Sequence, residues 1–371
     1  MFNASAAQCS GDRLPSFKRF ISRGEILRRV LRIGVLTGGG DCAGIDAVIR
    51  AIVKKATNDR HEVIGIRRGW AGLLEPDTLR LTYESVSESI ATGGTLLLTS
   101  RTNPFKRENG PELVMKTVSS LGLDAVIAIG GEDTLGVAHR LTEYGLKAIG
   151  VPKTIDNDLS ETDLTFGFDS AVNVAVEAID RIRTTGMSHE RVMVVEVMGR
   201  DAGWVATYAG IAGGAHCILV PEEQTDLASV CEVVMARKKR GQTFTLIVVA
   251  EGVQFLSKRN PDAAAQNVDE FGHLELGGVG HVLAGEIERR TGIETRAVVL
   301  GHLIRGGAPS AFDRVLSTRL GVAAVEAVEQ GRSDVMVALQ RNHVVKVGIS
   351  DAIKPKKLDL ELLSLGRMFS P

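Results

Sequence analysis

The sequence predicts an α/β fold with mainly parallel sheets flanked by helices. Three observations carry that expectation. Short apolar runs alternate with amphipathic stretches of helical period, the pattern of strands joined by crossover helices. Glycine-rich or charged clusters follow the apolar runs at once, as they do where a parallel sheet presents its carboxyl edge to a ligand. Glycine also supplies 41 of 371 residues against only 4% aromatics. That share exceeds the ordinary ~7%, and without a Gly-X-Y period it suits many tight turns with exposed backbone amides.

Residues 33–37 (IGVLT) read as a buried strand, followed by Gly38-Gly39-Gly40. Ile45, Val48, Ile49, Ile52, Val53 and Ala56 then fall on one face of a helix. Residues 125–129 (AVIAI) lead into Gly130-Gly131-Glu132-Asp133-Thr134 and a helix through Val137, Leu141 and Tyr144. Residues 148–151 lead into Pro152-Lys153-Thr154-Ile155-Asp156-Asn157-Asp158, and 192–197 (VMVVEV) into Met198-Gly199-Arg200-Asp201. Residues 246–250 end at Glu251-Gly252, and 297–300 at Gly301-His302. Between these runs, residues 169–183 predict a long helix with Asp169 or Ser170 as N-cap, bridging a first half to a second. Residues 260–280 read as a mobile loop, and the segment after Asp334 has strand-like alternation.

A chain of this length holds roughly two to three domains at ~150 residues each, enough for a large core without disulfide or metal staples. The net charge of −1 leaves no electrostatic footprint for nucleic acid or an anionic membrane. Cys9, Cys42, Cys217 and Cys231 lie far apart with no CxxC pair, so they read as reduced thiols in a cytoplasmic protein. No apolar run reaches the ~18 residues of a membrane helix. Residues 1–30 lack the apolar core of a secretory signal, and Asp12 and Glu25 argue against a transit peptide. They read as a loose N-terminal extension.

The clusters point to phosphate chemistry. Gly38-Gly39-Gly40-Asp41 offers free amides at a helix N-terminus, a ready anion site, although an ordinary strand-to-helix turn also uses glycine. GxxxxGK[ST] is absent, which disfavours Walker-type hydrolysis. Ala43 breaks a GxGxxG spacing, which disfavours a dinucleotide oxidoreductase. Asp156 and Asp158 beside Thr154 and Lys153 suit phosphoryl transfer. One carboxylate takes the acceptor hydroxyl's proton while metal and lysine neutralise the phosphoryl oxygens. The plain alternative is an Asx-rich turn. Arg191, Arg200, Arg296 and Arg305, with His189 and His302, lie near strand ends, where arginine forks hold phosphate bidentately. The alternative there is solvated surface charge. Glu251 either accepts sugar hydroxyls or caps a loop.

Read together, TGGGDCAGIDAVIR, TSRTNPF, IGGEDTLGVA, VPKTIDNDL, MSHERVMVVEVMGRDAGW, AEGV and ETRAVVLGHLIRGG resemble 6-phosphofructokinases. The likeness is to the short group shared by pyrophosphate-dependent and actinobacterial-type enzymes. VPKTIDND and VEVMGR are the most specific stretches; GGGD is weak alone. The resemblance implies two α/β lobes with the active site in the cleft between them. Residues 31–167 would form a donor-binding lobe and 168–303 a lobe for fructose 6-phosphate, with 304–371 returning to the first lobe and forming a C-terminal tail.

By position, Asp156 matches the base that deprotonates the sugar 1-hydroxyl, flanked by Thr154 and Asp158. Glu132 matches a metal-ligand position, implying Mg2+. Gly39 matches a donor-phosphate amide, and Arg101 an arginine near the transferred phosphate. Met198, Gly199, Arg200, Glu251, His302 and Arg305 match sugar-phosphate contacts, with Arg200 also on the transferring phosphoryl. Arg191 and Arg296 match arginines that reach a neighbouring subunit's site, which implies a homodimer or homotetramer.

Two positions bear on the donor. Members that use ATP usually carry glycine where this chain has Asp133 and Lys153. An aspartate at 133 takes the space and sign of an ATP α-phosphate. Two unit charges ~4 Å apart at an effective dielectric of ~20 repel by roughly 4 kcal/mol, about a thousandfold. Lys153 supplies a positive charge to a donor that lacks adenosine. Both point to pyrophosphate, with fructose 6-phosphate as acceptor. Asp133 and Lys153 as tolerated surface charges is the plain alternative. The rivals are an ATP-dependent 6-phosphofructokinase, a nucleotide-cofactor or lipid kinase sharing a GGD turn, and a non-catalytic regulatory subunit. Departures from the family pattern are Ala43 and Asp46 in the first turn, Leu98 before TSR, and Ile304 beside Arg305.

Overall fold

The computed structural model describes residues 29–255 and 278–368. The elements that build the first sheet begin with β1 (Arg32–Thr37), α1 (Ile45–Asn58), β2 (Glu62–Ile66), α2 (Ala71–Leu74) and β3 (Thr78–Leu81). They continue through α3 (Gly110–Ser120), β4 (Ala125–Gly130), α4 (Glu132–Thr142), β5 (Ala148–Thr154) and the short β6 (Phe166–Gly167). α5 (Phe168–Ser188) then carries the chain to β7 (Val192–Val197), α6 (Trp204–Ala212), β8 (Cys217–Leu219), α7 (Leu227–Lys239) and β9 (Thr245–Ala250). Next come α8 (Val279–Thr291), β10 (Thr295–Val299) and α9 (Ala311–Glu329), then β11 (Val335–Gln340), β12 (His343–Gly348), α10 (Ile349–Ala352) and α11 (Leu360–Met368).

The first sheet runs in the order β12-β11-β5-β4-β1-β2-β3, with β6 paired to β5. Its centre is parallel: β1 lies between β2 and β4, and β4 pairs with β5. β4 and β5 are buried along their whole length, as expected of strands covered on both faces. The antiparallel β3 and β12 close the two edges and place Arg80 and Lys346 there, charges that discourage further strand pairing. The second sheet is fully parallel, in the order β10-β7-β9-β8.

Buried residues explain how these layers are fixed. α1 crosses α9 closely at Gly321, where a Cβ would stand 2.8 Å from the carbonyl oxygen of Val48. Glu196 is an acidic residue next to the end of the otherwise apolar β7, 2% exposed. Its carboxylate accepts the Gly278 and Gly280 amides at 3.1 and 2.7 Å, so it caps the positive end of α8.

The sequence-based elements need four adjustments. α5 begins at Phe168 and ends at Ser188, and Gly167, at φ 95°, occupies the cap position assigned to Asp169 or Ser170. Only glycine adopts that backbone cheaply, and Ser170 instead turns its hydroxyl toward Asp313. α4 ends at Thr142, before Tyr144. Of the segment read as a mobile loop, residues 260–277 lie outside the described residues, while Val279 and Gly280 already belong to α8. The alternating segment after Asp334 is a hairpin whose first strand lies parallel to β5. The extension read at 1–30 lies almost wholly outside the described residues. Cys42, Cys217 and Cys231 are free thiols, and among the described residues no helix is long and apolar enough to cross a membrane.

Candidate active site

β5 delivers Lys153 and Thr154 at its carboxyl end, and the chain then turns sharply. Asn157 makes the turn: it adopts φ 50°, is fully buried, and its Oδ1 accepts the Thr165 amide at 3.1 Å. Thr154 helps from below, its hydroxyl accepting the Asp156 amide at 3.0 Å while its carbonyl accepts Thr165 Oγ1 at 2.7 Å. The aspartates on either side each leave one oxygen unused. Oδ1 of Asp156 and Oδ1 of Asp158 are both buried without a hydrogen-bond partner. Within Asp-Asn-Asp, the asparagine is therefore the turn residue, and each flanking carboxylate keeps one oxygen for a ligand.

Their electrostatics fit that reading. Burial pushes the Asp156 carboxyl above the usual carboxylate range, against the pull of Arg305, Arg200 and Lys153. Burial, and then the Asp156 charge, raises Asp158 to about 6, with Glu132 also repelling it. Burial lowers the Lys153 ammonium. A carboxylate of raised basicity among three cations is poised to take a proton from an acceptor bound near phosphate.

The glycine turn after β1 packs directly against this strand end. The Lys153 ammonium donates to the Gly40 carbonyl, and a Cβ on Gly39 would stand 3.5 Å from Lys153 Nζ. Gly38 is required by packing, since a Cβ there would meet Thr134 Oγ1 at 2.4 Å. The Gly39 amide, assigned from sequence to the donor phosphate, donates to the Ser100 carbonyl at 3.0 Å. Thr99 Oγ1 donates to the Gly39 carbonyl at 2.6 Å. The loop that bears the exposed Arg101 is thus fastened onto the turn. Glu132 and Asp133 open α4 beside it, at N1 and N2 of the helix.

The second sheet contributes the turn after β7 and the end of β9. The Glu251 amide donates to the Val197 carbonyl at 2.9 Å, and Glu251 Oε1 accepts the Gly199 amide at 3.4 Å. A Cβ at Gly252 would lie 1.7 Å from the Arg200 carbonyl, so the two turns interlock. Burial and the nearby Asp156 push Glu251 up to about 7. Met198 is half-buried at the same edge. Arg305 ends a 3-10 turn, Gly301–Arg305, and reaches back across the chain to donate to the Asp41 carbonyl at 3.0 Å. His302 is exposed on that turn.

Arg191 and Arg296 are not part of this gathering. Arg191 precedes β7, and Arg296, opposite Met193, lies near the start of the adjoining β10. A six-residue strand, roughly 20 Å long, separates Arg191 from the Arg200 turn. Both arginines are held there by Glu294, at 2.7 and 2.5 Å.

The phosphofructokinase family pattern matches residues 32–328. The chain belongs to the phosphofructokinase family. A relative from Amycolatopsis methanolica, named pyrophosphate–fructose 6-phosphate 1-phosphotransferase, is 53% identical over 328 residues, covering 87% of this chain and 94% of that one. ATP-dependent 6-phosphofructokinase 3 of Streptomyces coelicolor is 48% identical over 333 residues, covering 88% of this chain and 96% of the relative. The solved phosphofructokinase of Saccharomyces cerevisiae superposes with a TM-score of 0.75 at 29% identity, over 87% of this chain and 45% of that one.

Within this family member the departures acquire physical reasons. Asp46 is buried, and its Oδ1 accepts the Leu96 amide at 2.9 Å. It faces the loop before Arg101 and fixes it. Leu98 sits at φ 57°, a conformation natural to glycine. Ile304 is 2% exposed and joins the core. Ala43 is buried in the turn. The sequence left open which residue of Asp-Asn-Asp makes the turn, and a second residue at the site, Lys356, had no sequence signal. The Lys356 amide donates to the Asp158 carbonyl at 2.8 Å. Its ammonium donates to the Thr162 and Asp163 carbonyls at 3.0 and 2.6 Å.

Proposed function

We propose that this chain transfers a phosphoryl group from pyrophosphate to the 1-hydroxyl of fructose 6-phosphate, giving fructose 1,6-bisphosphate and phosphate, and that it runs in both directions. Lys153 carries the reading: its buried ammonium lies against the Gly39–Gly40 turn. A fixed positive charge there compensates phosphate oxygens, and with Asp133 at the start of α4 the donor side carries the two side chains that disfavour ATP.

Asp156 takes the proton of the 1-hydroxyl as that oxygen forms its bond to phosphorus. The bridging P–O bond breaks, and inorganic phosphate leaves with the electron pair. Lys153 and Arg200 spread the charge on the phosphoryl oxygens. Thr154 holds the Asp156 backbone in place. Glu251, Met198, Gly199, His302 and Arg305 bind the sugar phosphate, and Arg101 the donor. In the reverse direction Asp156 returns the proton.

The unpartnered Asp158 Oδ1 and the repulsion of Asp158 by Asp156 and Glu132 fit a divalent cation. Glu132 and Asp158 would hold Mg2+. When bound it would supply positive charge that neutralises phosphate oxygens.

The catalytic unit is a homodimer or larger homo-oligomer, in which Arg191 and Arg296 serve the neighbouring subunit. Their location at the amino edge of the second sheet supports this role. Residues 31–167 form the donor lobe and 168–303 the sugar lobe. The free thiols fit a cytoplasmic enzyme. The test is the Asp133→Gly, Lys153→Gly variant. Its ratio of kcat/KM with ATP to that with pyrophosphate should rise by at least about tenfold, from removal of a repulsion of roughly 4 kcal/mol in its full form. An unchanged ratio contradicts the donor assignment.

A further inference from the structure

A closed circuit of contacts joins Arg305 to the strand end that presents Lys153 and Asp156, and Asp313 is its middle link. Asp313 lies in the first turn of α9 and is fully buried. Its Oδ2 accepts the Ser170 amide at 2.8 Å and the Ser170 hydroxyl at 2.6 Å, in the first turn of α5. Ser170 Oγ accepts the Ser310 amide at 2.9 Å. Ser310, the N-cap of α9, accepts the Asp313 amide at 3.2 Å and donates its hydroxyl to Asp169 at 2.5 Å. The positive ends of two helices therefore meet on one buried carboxylate.

Both arms of the circuit end at the site. On one side, two glycines, an alanine and a proline lead from Ser310 back to Arg305. The Arg305 guanidinium rests on the Gly40 backbone, where a Cβ would come within 2.6 Å of Nη1. On the other side, Ser170 stands three residues after Gly167, and β6 pairs Phe166 with Lys153 and Gly167 with Thr154. Cys42, one residue after Asp41, donates to the Phe166 carbonyl and closes the ring.

We propose that Asp313 is a positioning residue: by clamping the N-termini of α5 and α9 together, it sets Arg305 against the strand end that carries Lys153 and Asp156. The inference rests on the phosphoryl transfer proposed above. Both bonds fall on Oδ2, and Oδ1 is buried without a partner; Asp313→Asn keeps the shape but removes the negative charge that draws the two helix N-termini together. A slight displacement of Arg305 follows. Misplacement by about 1 Å costs up to about 100-fold.

The test is a double-mutant cycle with Arg305→Ala. Asp313→Asn in the native background should lower kcat about 10- to 100-fold, with KM for pyrophosphate within about threefold. In the Arg305→Ala background the same substitution should cost less than about threefold more, because residues acting through one another are not additive. An equal loss in both backgrounds, or none in the native background, overturns the proposal. If Asp313→Asn does not fold, Ser170→Ala removes the hydroxyl that donates to Asp313 and accepts the Ser310 amide, and should give a loss with the same non-additivity. Absence of wild-type turnover with pyrophosphate and with ATP overturns the functional reading itself. Wild-type turnover with a failed cycle overturns only the positioning role.

Discussion

Between Asp156 and Asp158 the backbone turns through Asn157, whose side chain is spent on the Thr165 amide. The pattern Asp-Asn-Asp is ambiguous in sequence because all three residues favour turns; partnering resolves it, since the asparagine oxygen holds the Thr165 amide while each flanking carboxylate keeps one buried oxygen unpaired. Asp156→Asn should therefore lower kcat by about 10²- to 10⁴-fold while the KM for fructose 6-phosphate stays within a few-fold. Steady-state kinetics checks this, and native-like turnover would remove Asp156 as the base. Leu98 is the reverse case, a residue whose oddity is conformational. At φ 57° and 46% exposed, it carries left-handed strain of about 1–2 kcal/mol that glycine avoids. Glycine loses more chain entropy on folding, about 0.5–1 kcal/mol. Leu98→Gly should consequently raise stability by about 0 to 1.5 kcal/mol, and a clear drop in Tm would contradict the strain account.

At the level of elements, the turns were legible because their chemistry is local. Glycines follow β1 and β4, and the charged clusters follow β5, β7 and β9 within a few residues. What joins the turns to one another was not legible. Arg305 reaches Asp41 across 264 residues of sequence, and Glu196 caps α8 from a strand that otherwise reads as uniformly apolar. Neither leaves a periodic or compositional trace. The segment at Lys356 belongs with them. Its side chain ties the carbonyls of Thr162 and Asp163 together and lies 4.9 Å from the Trp204 ring at the start of α6. Lys356→Ala should lower stability by about 1–3 kcal/mol through lost charged hydrogen bonds, with a change in Trp204 fluorescence. Thermal denaturation that matches the native protein would show this brace to be dispensable.

Across the whole molecule, buried carboxyls set an unusual balance. Burial pushes Asp46, Asp158 and Asp313 up to about 6 and Glu251 up to about 7. In the unfolded chain these groups titrate near 4. Between about pH 4 and 7 the folded protein holds protons that the unfolded chain has released, so these groups make stability fall as pH rises through that window. Glu251→Gln should flatten the part of the slope between about pH 5 and 7 in denaturation experiments, and an unchanged slope would contradict its raised affinity for protons. Of these carboxyls, Asp158 is the one that the cation of the proposed chemistry would stabilise in its charged form.

That chemistry is most directly tested by the donor. Purified protein should be assayed with fructose 6-phosphate and Mg2+, comparing pyrophosphate and ATP side by side for production of fructose 1,6-bisphosphate. The account predicts a kcat/KM for pyrophosphate at least about 100-fold above that for ATP, within the repulsion of roughly 4 kcal/mol expected at Asp133. Equal or better kcat/KM with ATP would contradict it.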